Sequence, residues 1–126
     1  MSAKVLLVDD EKDFLDIMAE RMAARGMEVA TAGSAEDALK MVQAESYDAV
    51  IMDLMMPEMD GFQALKLFKK SRPDLSIILL TGNVPQETCL EAIKLGAMDV
   101  IEKPADLDLL TQKIEEARAL RAKKIV

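Results

Sequence analysis

The chain has 126 residues, of which 51% are hydrophobic and 3% aromatic, and a formal charge of −7. That size and apolar fraction suit a single domain over 1–126 with no effector domain, and they exclude intrinsic disorder. The acidic balance argues against direct nucleic-acid binding, which rests on Lys and Arg neutralising phosphate, and the lack of any histidine excludes His-based acid–base catalysis and His metal ligation.

Short apolar, β-rich runs alternate with longer segments of helical period, the pattern of βα repeats around a parallel sheet. Lys4-Val5-Leu6-Leu7-Val8 reads as a strand near 4–9, entered directly from Met1-Ser2-Ala3 without the features of a signal peptide. A helix near 11–25 follows, with Phe14, Ile17, Met18, Met22 and Ala24 or Arg25 at helical spacing and Gly26 as its left-handed stop. The second strand lies near 27–32. Ser34 then caps a helix near 34–45, with Asp37 three residues on as a weak capping box.

Ala49-Val50-Ile51-Met52 forms the third strand, near 48–53, and Gly61 opens a helix near 61–71 that ends before Pro73. Ile77-Ile78-Leu79-Leu80 is a strand near 76–81, apolar throughout as burial on both faces demands. Pro85 suits the first turn of a helix near 85–95, on which Cys89 reads as a small buried residue, and Gly96 ends it. The last strand lies near 98–102. The last helix, near 106–122, turns Leu107, Leu110, Ile114 and Ala117 inward, and its basic end (Arg118, Arg121, Lys123, Lys124) complements the helix dipole. No apolar run approaches the roughly 20 residues of a membrane helix. The lone cysteine cannot form an internal disulfide, which fits the cytoplasm.

Right-handed crossovers place these helices on both faces of a doubly wound α/β sheet, five parallel strands in the flavodoxin-like order 2-1-3-4-5. In such a sheet the ligand sits outside the carboxyl ends of strands 1 and 3. Those ends carry Asp9, Asp10 and Asp53, while Thr81 closes the fourth strand and Lys103 follows the fifth. Alone, Asp9-Asp10-Glu11 reads equally as a solvated turn, Thr81-Gly82 as a common turn and Lys103 as a surface lysine. Their conjunction at four strand ends carries the weight.

The acids suit Mg2+, which prefers octahedral oxygen coordination and takes one or two carboxylates. Asp10 and Asp53 are the natural direct ligands, with Asp9 bonded directly or through water and the backbone carbonyl of Met55 completing the protein's share. Asp53 can then act as a nucleophile toward phosphorus. The Lys103 ammonium, the Thr81 hydroxyl and a backbone N–H near Gly82 would receive phosphoryl oxygens. Lys103 stands before Pro104, which biases it to extended geometry.

At these residues the sequence resembles the receiver domain of two-component response regulators, over essentially the whole chain. The most specific pieces are Asp53-Leu54-Met55-Met56-Pro57-Glu58-Met59-Asp60-Gly61, Leu80-Thr81-Gly82 and Lys103-Pro104. The resemblance implies that Asp53 accepts phosphate from the phosphohistidine of a sensor histidine kinase or phosphotransfer protein, with acetyl phosphate as a substitute donor. It implies Mg2+ at Asp9, Asp10, Asp53 and the Met55 carbonyl, sensing by Thr81 and Lys103, and a cis bond before Pro104. The chain would catalyse its own phosphorylation and dephosphorylation without conventional turnover, and Met55 and Asn83 would help set the hydrolysis rate. Output would pass to a protein target through the fourth helix, fifth strand and fifth helix, around Gln86, Glu87, Glu91, Lys94, Glu102, Leu109 and Lys113. It involves neither membrane nor nucleic acid directly, and a phosphorylation-dependent homodimer is one form it can take.

Two positions depart from the family pattern. Val100 stands where many receivers carry a Tyr or Phe switch, and Ala105 where a bulky residue often follows Lys-Pro. The expectation is an intact phosphorylation site whose relay, through the loop after Thr81 and the helix from Pro85, moves with smaller amplitude. Three competing readings fare worse. A haloacid-dehalogenase-type phosphohydrolase wants an acid two residues past its nucleophile, where Asp53 has Met55 and Asp10 has Lys12. A flavodoxin needs hydroxyls and glycine in its first loop, where Asp9-Asp10-Glu11-Lys12 would repel phosphate. A receiver-like module that is never phosphorylated would be expected to have lost an acid or the lysine.

Overall fold

Strands and helices alternate along the chain: β1 (Lys4–Val8), α1 (Lys12–Ala24), β2 (Glu28–Ala32), α2 (Ala35–Ala44), β3 (Ala49–Met52), α3 (Gly61–Ser71), β4 (Ile77–Thr81), α4 (Gln86–Lys94), β5 (Asp99–Glu102) and α5 (Leu107–Ile125). The computed structural model describes residues 3–54, 56, 60–82, 85–104 and 106–125. All strand pairings are parallel and the sheet order is β2-β1-β3-β4-β5, the expected topology. The side-chain period of two sorts each central strand between two cores. Leu6, Val8, Val50, Met52, Ile77 and Leu79 pack under α2, α3 and α4, whereas Val5, Leu7, Ala49, Ile51, Ile78 and Leu80 pack under α1 and α5. Burial on both faces explains why these strands read as unbroken apolar runs.

Many element ends fall one residue inside the expected ranges, in part because the cap residues Glu11, Ser34, Glu45 and Pro85 keep extended backbone, whereas α5 runs to Ile125, past its expected end at 122. Ser34 caps α2, its hydroxyl accepting from the Asp37 N–H at 3.1 Å. Gly26 and Gly96 take positive φ, +90° and +109°, as their helix-ending role requires. Pro85 is the residue before α4 rather than within its first turn, with ψ of 150°. The inward stripe of α1 also differs from expectation: Leu15, Met18 and Met22 are buried, Phe14 is half-buried, and Ile17 is 53% exposed. Residues 15, 18 and 22 share one helix face, and Ile17 lies about 100° round from Met18. In α5 the expected residues do turn inward, with Leu110, Ile114 and Ala117 fully buried. Its basic end is partly spent on specific partners: Arg121 bonds Asp48 ahead of β3 at 3.1 Å, and Arg118 bonds Glu115 at 2.9 Å.

Gly61 has a steric reason to be glycine. A Cβ there would collide with the backbone of Leu54, the residue after Asp53. Asp60 caps the same helix, accepting from the Phe62 N–H at 2.9 Å. Replacing Gly61 by Ala is expected to lower stability by about 1–3 kcal/mol, the usual range for overpacking, read as a reduced urea midpoint.

Tyr47 gives a second test. Its ring is 4% exposed, Lys4 Nζ lies 5.2 Å from the ring centroid, and its hydroxyl donates to Glu45 at 3.2 Å. Burial raises its pKa above 10.0, and the charges of Glu45 and Glu28 and the bond to Glu45 push the same way. A raised folded pKa means that this contribution to stability is whole below about pH 10 and is lost as pH climbs through the folded value. Tyr47 is the sole tyrosine and tryptophan is absent, so tyrosinate absorbance reports on it directly. The native midpoint is expected above the urea-unfolded midpoint; equal midpoints would contradict the burial.

Candidate functional site

Parallel register decides which residues meet. Val8 pairs with Met52, so the next residues, Asp9 and Asp53, leave the sheet side by side at its carboxyl edge. Their backbones stay tied to the sheet: the Asp53 N–H donates to the Val8 carbonyl at 3.1 Å and the Asp9 N–H to the Ala32 carbonyl at 3.2 Å. Thr81 pairs with Glu102, and the Lys103 N–H donates to the Thr81 carbonyl. Four strand ends therefore deliver the acids, the hydroxyl and the amine to one edge.

Asp9 is 1% exposed and Asp53 7%, while Asp10 faces solvent. One oxygen from each of the three lies within 4.8 Å of the others. The Lys103 ammonium donates to Asp9 Oδ2 at 2.9 Å and to Asp53 Oδ2 at 3.0 Å. The second Asp9 oxygen accepts the Glu11 N–H at 3.0 Å. Burial pulls the Lys103 pKa down, but the hydrogen bonds and charges of Asp9 and Asp53 outweigh it and the net shift is upward. Lys103 is therefore a fixed cation at ordinary pH.

Thr81 is fully buried, and among the described residues its hydroxyl finds no hydrogen-bond partner. A buried hydroxyl left unpaired costs about 1–3 kcal/mol, a cost that an oxygen placed against it would relieve. The Lys103–Pro104 bond is cis, as expected. Met55, Asn83 and Ala105, together with Pro57, Glu58 and Met59, lie outside the described residues.

Sequence reasoning missed one contact. The Phe14 ring lies beneath the Lys103 ammonium, which stands 4.5 Å from the ring centroid. The available signal was its place four residues after Asp10, one helical turn from the acids, but the same spacing reads as a core stripe. Of the residues expected on the output face, Gln86, Glu87, Glu91, Lys94, Glu102 and Leu109 are exposed. Lys113 is held by Asp99 at 3.1 Å and Glu116 at 3.5 Å, and the bond to Asp99 heads the causes that raise its pKa. Leu90 and Ile93 of α4 are exposed too, at 55% and 43%. Val100 packs half-buried against the core beneath α2, α3 and α4.

The family model of the response regulator receiver domain matches residues 5–115. Among relatives, the transcriptional regulatory protein ZraR of Salmonella typhimurium is 38% identical over 115 residues, 91% of this chain and 26% of that protein. The regulatory protein AtoC of Escherichia coli is 36% identical over 121 residues, 96% of this chain and 26% of its own length. The chain thus spans about a quarter of the length of these curated relatives. A response regulator receiver domain protein from Clostridium thermocellum superposes with a TM-score of 0.90 at 32% identity, covering 98% of this chain and 99% of that one. The beryllofluoride-activated NtrC4 receiver domain dimer superposes at 0.85 and 28% identity, covering 92% and 96%.

The charge arrangement is testable without any ligand. Lys103 reaches Asp9 and Asp53, while Asp10 adds a third negative charge nearby. In chelator-treated buffer, Asp10→Asn is expected to stabilise the fold by about 0.2–1 kcal/mol, the range for exposed charge pairs. A lower urea midpoint would mean that Asp10 is held by attraction, not crowded by repulsion.

Proposed function

Because the chain belongs to the response regulator receiver domain family of two-component signal transduction, we propose that Asp53 is its phosphoacceptor. The observation that carries the reading is the edge cluster: two buried carboxylates bridged by Lys103, a third beside them, and a Thr81 hydroxyl with no hydrogen-bond partner among the described residues. The donor is the phosphohistidine of a sensor histidine kinase or phosphotransfer protein. An Asp53 carboxylate oxygen forms a bond to phosphorus as the phosphorus–nitrogen bond breaks, and the electron pair leaves with the imidazole. Hydrolysis later returns the Asp53 carboxylate and inorganic phosphate, so the chain catalyses its own modification and reversal without conventional turnover.

The donor set fits Mg2+, being hard oxygen with no nitrogen or sulfur ligand. Asp9, Asp10, Asp53 and the Met55 carbonyl would hold it, and when bound it supplies charge neutralisation for the phosphoryl oxygens. Lys103 takes a phosphoryl oxygen by turning a donor from Asp53, and Thr81 takes another. Pairing the Thr81 hydroxyl favours the conformation in which it points at the acceptor, and that preference shifts the population of the α4–β5–α5 face. Exposed Leu90, Ile93 and Leu109 give that face apolar area beside Gln86, Glu87, Glu91 and Lys94. Its partner is a protein, or a second phosphorylated copy of this chain. With Val100 in place of an aromatic switch, the face responds with small amplitude. The acidic charge keeps nucleic acid out of this segment's direct contacts, and the setting is the cytoplasm.

Intact mass after incubation with acetyl phosphate tests the assignment. Wild type is expected to gain one phosphoryl group with Mg2+ and none after chelation, and Asp53→Asn none in either case. An adduct surviving in Asp53→Asn would reassign the acceptor.

A further inference from the structure

Lys103 has three N–H donors. Asp9 and Asp53 take two of them, and the Phe14 ring stands 4.5 Å from the same nitrogen. Phe14 lies in the first turn of α1, half-buried, packed against the core shared by α1 and α5. Leu15 and Met18 on the same helix are buried in that core, so the ring sits on an anchored platform.

We infer that Phe14 is a positioning residue for phosphoryl transfer, its ring face steering the Lys103 ammonium toward the acceptor without occupying a hydrogen-bond donor. The inference rests on Asp53 being the phosphoacceptor. A carbonyl or carboxylate in the ring's place would accept the third N–H and compete with an incoming phosphoryl oxygen. An aromatic face attracts the cation through its quadrupole, so that donor stays available. The attraction also varies smoothly with lateral displacement, whereas a hydrogen bond weakens steeply once misaligned. Lys103 can therefore pivot from Asp53 to a phosphoryl oxygen while the ring still holds it. An aliphatic side chain of similar volume would fill the space and do neither.

The test compares wild type, Phe14→Leu and Phe14→Tyr. The initial rate of Asp53 phosphorylation by acetyl phosphate with Mg2+ is read by intact mass, alongside the Lys103 Cε proton shifts by NMR and the melting temperature. Phe14→Leu is expected to slow phosphorylation about three- to tenfold, within the range that a cation–π contact implies. Phe14→Tyr should stay within about twofold of wild type, because its ring face is kept. The Lys103 protons should be shifted upfield by the ring in wild type and Phe14→Tyr, and not in Phe14→Leu. A wild-type rate in Phe14→Leu, equal slowing in Phe14→Tyr, or unshifted Lys103 protons in wild type would each overturn the inference while leaving the phosphoacceptor assignment intact. Wild type that takes up no phosphoryl group would instead sink that assignment, and this inference with it.

Discussion

One ammonium between two buried carboxylates is the interaction on which the site turns. Lys103 reaches Asp9 and Asp53 at about the same distance, from a strand that lies beyond β4 on the other side of the acid-bearing β3. Taking such charges out of water is costly, and their mutual attraction seldom returns more than it takes. An arrangement of this kind is poor evidence for stability and good evidence for a task. With Asp10 close by, three carboxylates gather at this edge, and among the described residues Lys103 bonds two of them. Such a grouping of carboxylate oxygens suits a hard cation. The grouping is held from behind, where two apolar cores pack the strands in one register.

How far this was legible in the sequence follows from the same physics. A parallel strand buried on both faces must read as an apolar run, so its end is marked wherever a charge first becomes tolerable. Asp9 and Asp53 stand at such ends and Thr81 closes the fourth strand, so the sequence pattern marked them. Lys103 instead follows the charged, partly exposed β5 and was singled out by its place before Pro104 at a fourth strand end. Gly26 and Gly96 were legible for a similar reason, since a left-handed helix stop favours a residue without a Cβ. The helical stripes were less secure. In α1 the apolar residues Phe14, Leu15, Ile17 and Met18 cover more than one face, and only the sheet beneath decides that Leu15 goes in and Ile17 out. Phe14 was therefore filed as core while its ring stands under Lys103. The close approach of Gly61 to the Leu54 backbone is likewise tertiary, although the glycine itself was conspicuous.

Thr81 joins the chemistry to the rest of the fold. It ends β4, its carbonyl accepts the N–H of Lys103, and its hydroxyl has no partner among the described residues. Leaving such a hydroxyl unpaired costs about 1–3 kcal/mol. If Asp53 carries a phosphoryl group as proposed, an oxygen of that group would return free energy of that size only in the conformation where the hydroxyl meets it. Two states that differ by about 1–3 kcal/mol shift in ratio by roughly 5–150-fold, the ordinary scale of coupling between distant sites. On the proposed function, pairing that one oxygen would be of the size needed to bias the α4 side of the molecule with Val100 in place of an aromatic residue. On the reading that Asp53 is phosphorylated, the lack of a partner for this hydroxyl among the described residues gives it something to gain, whereas a hydroxyl already paired within the protein would gain nothing from phosphate.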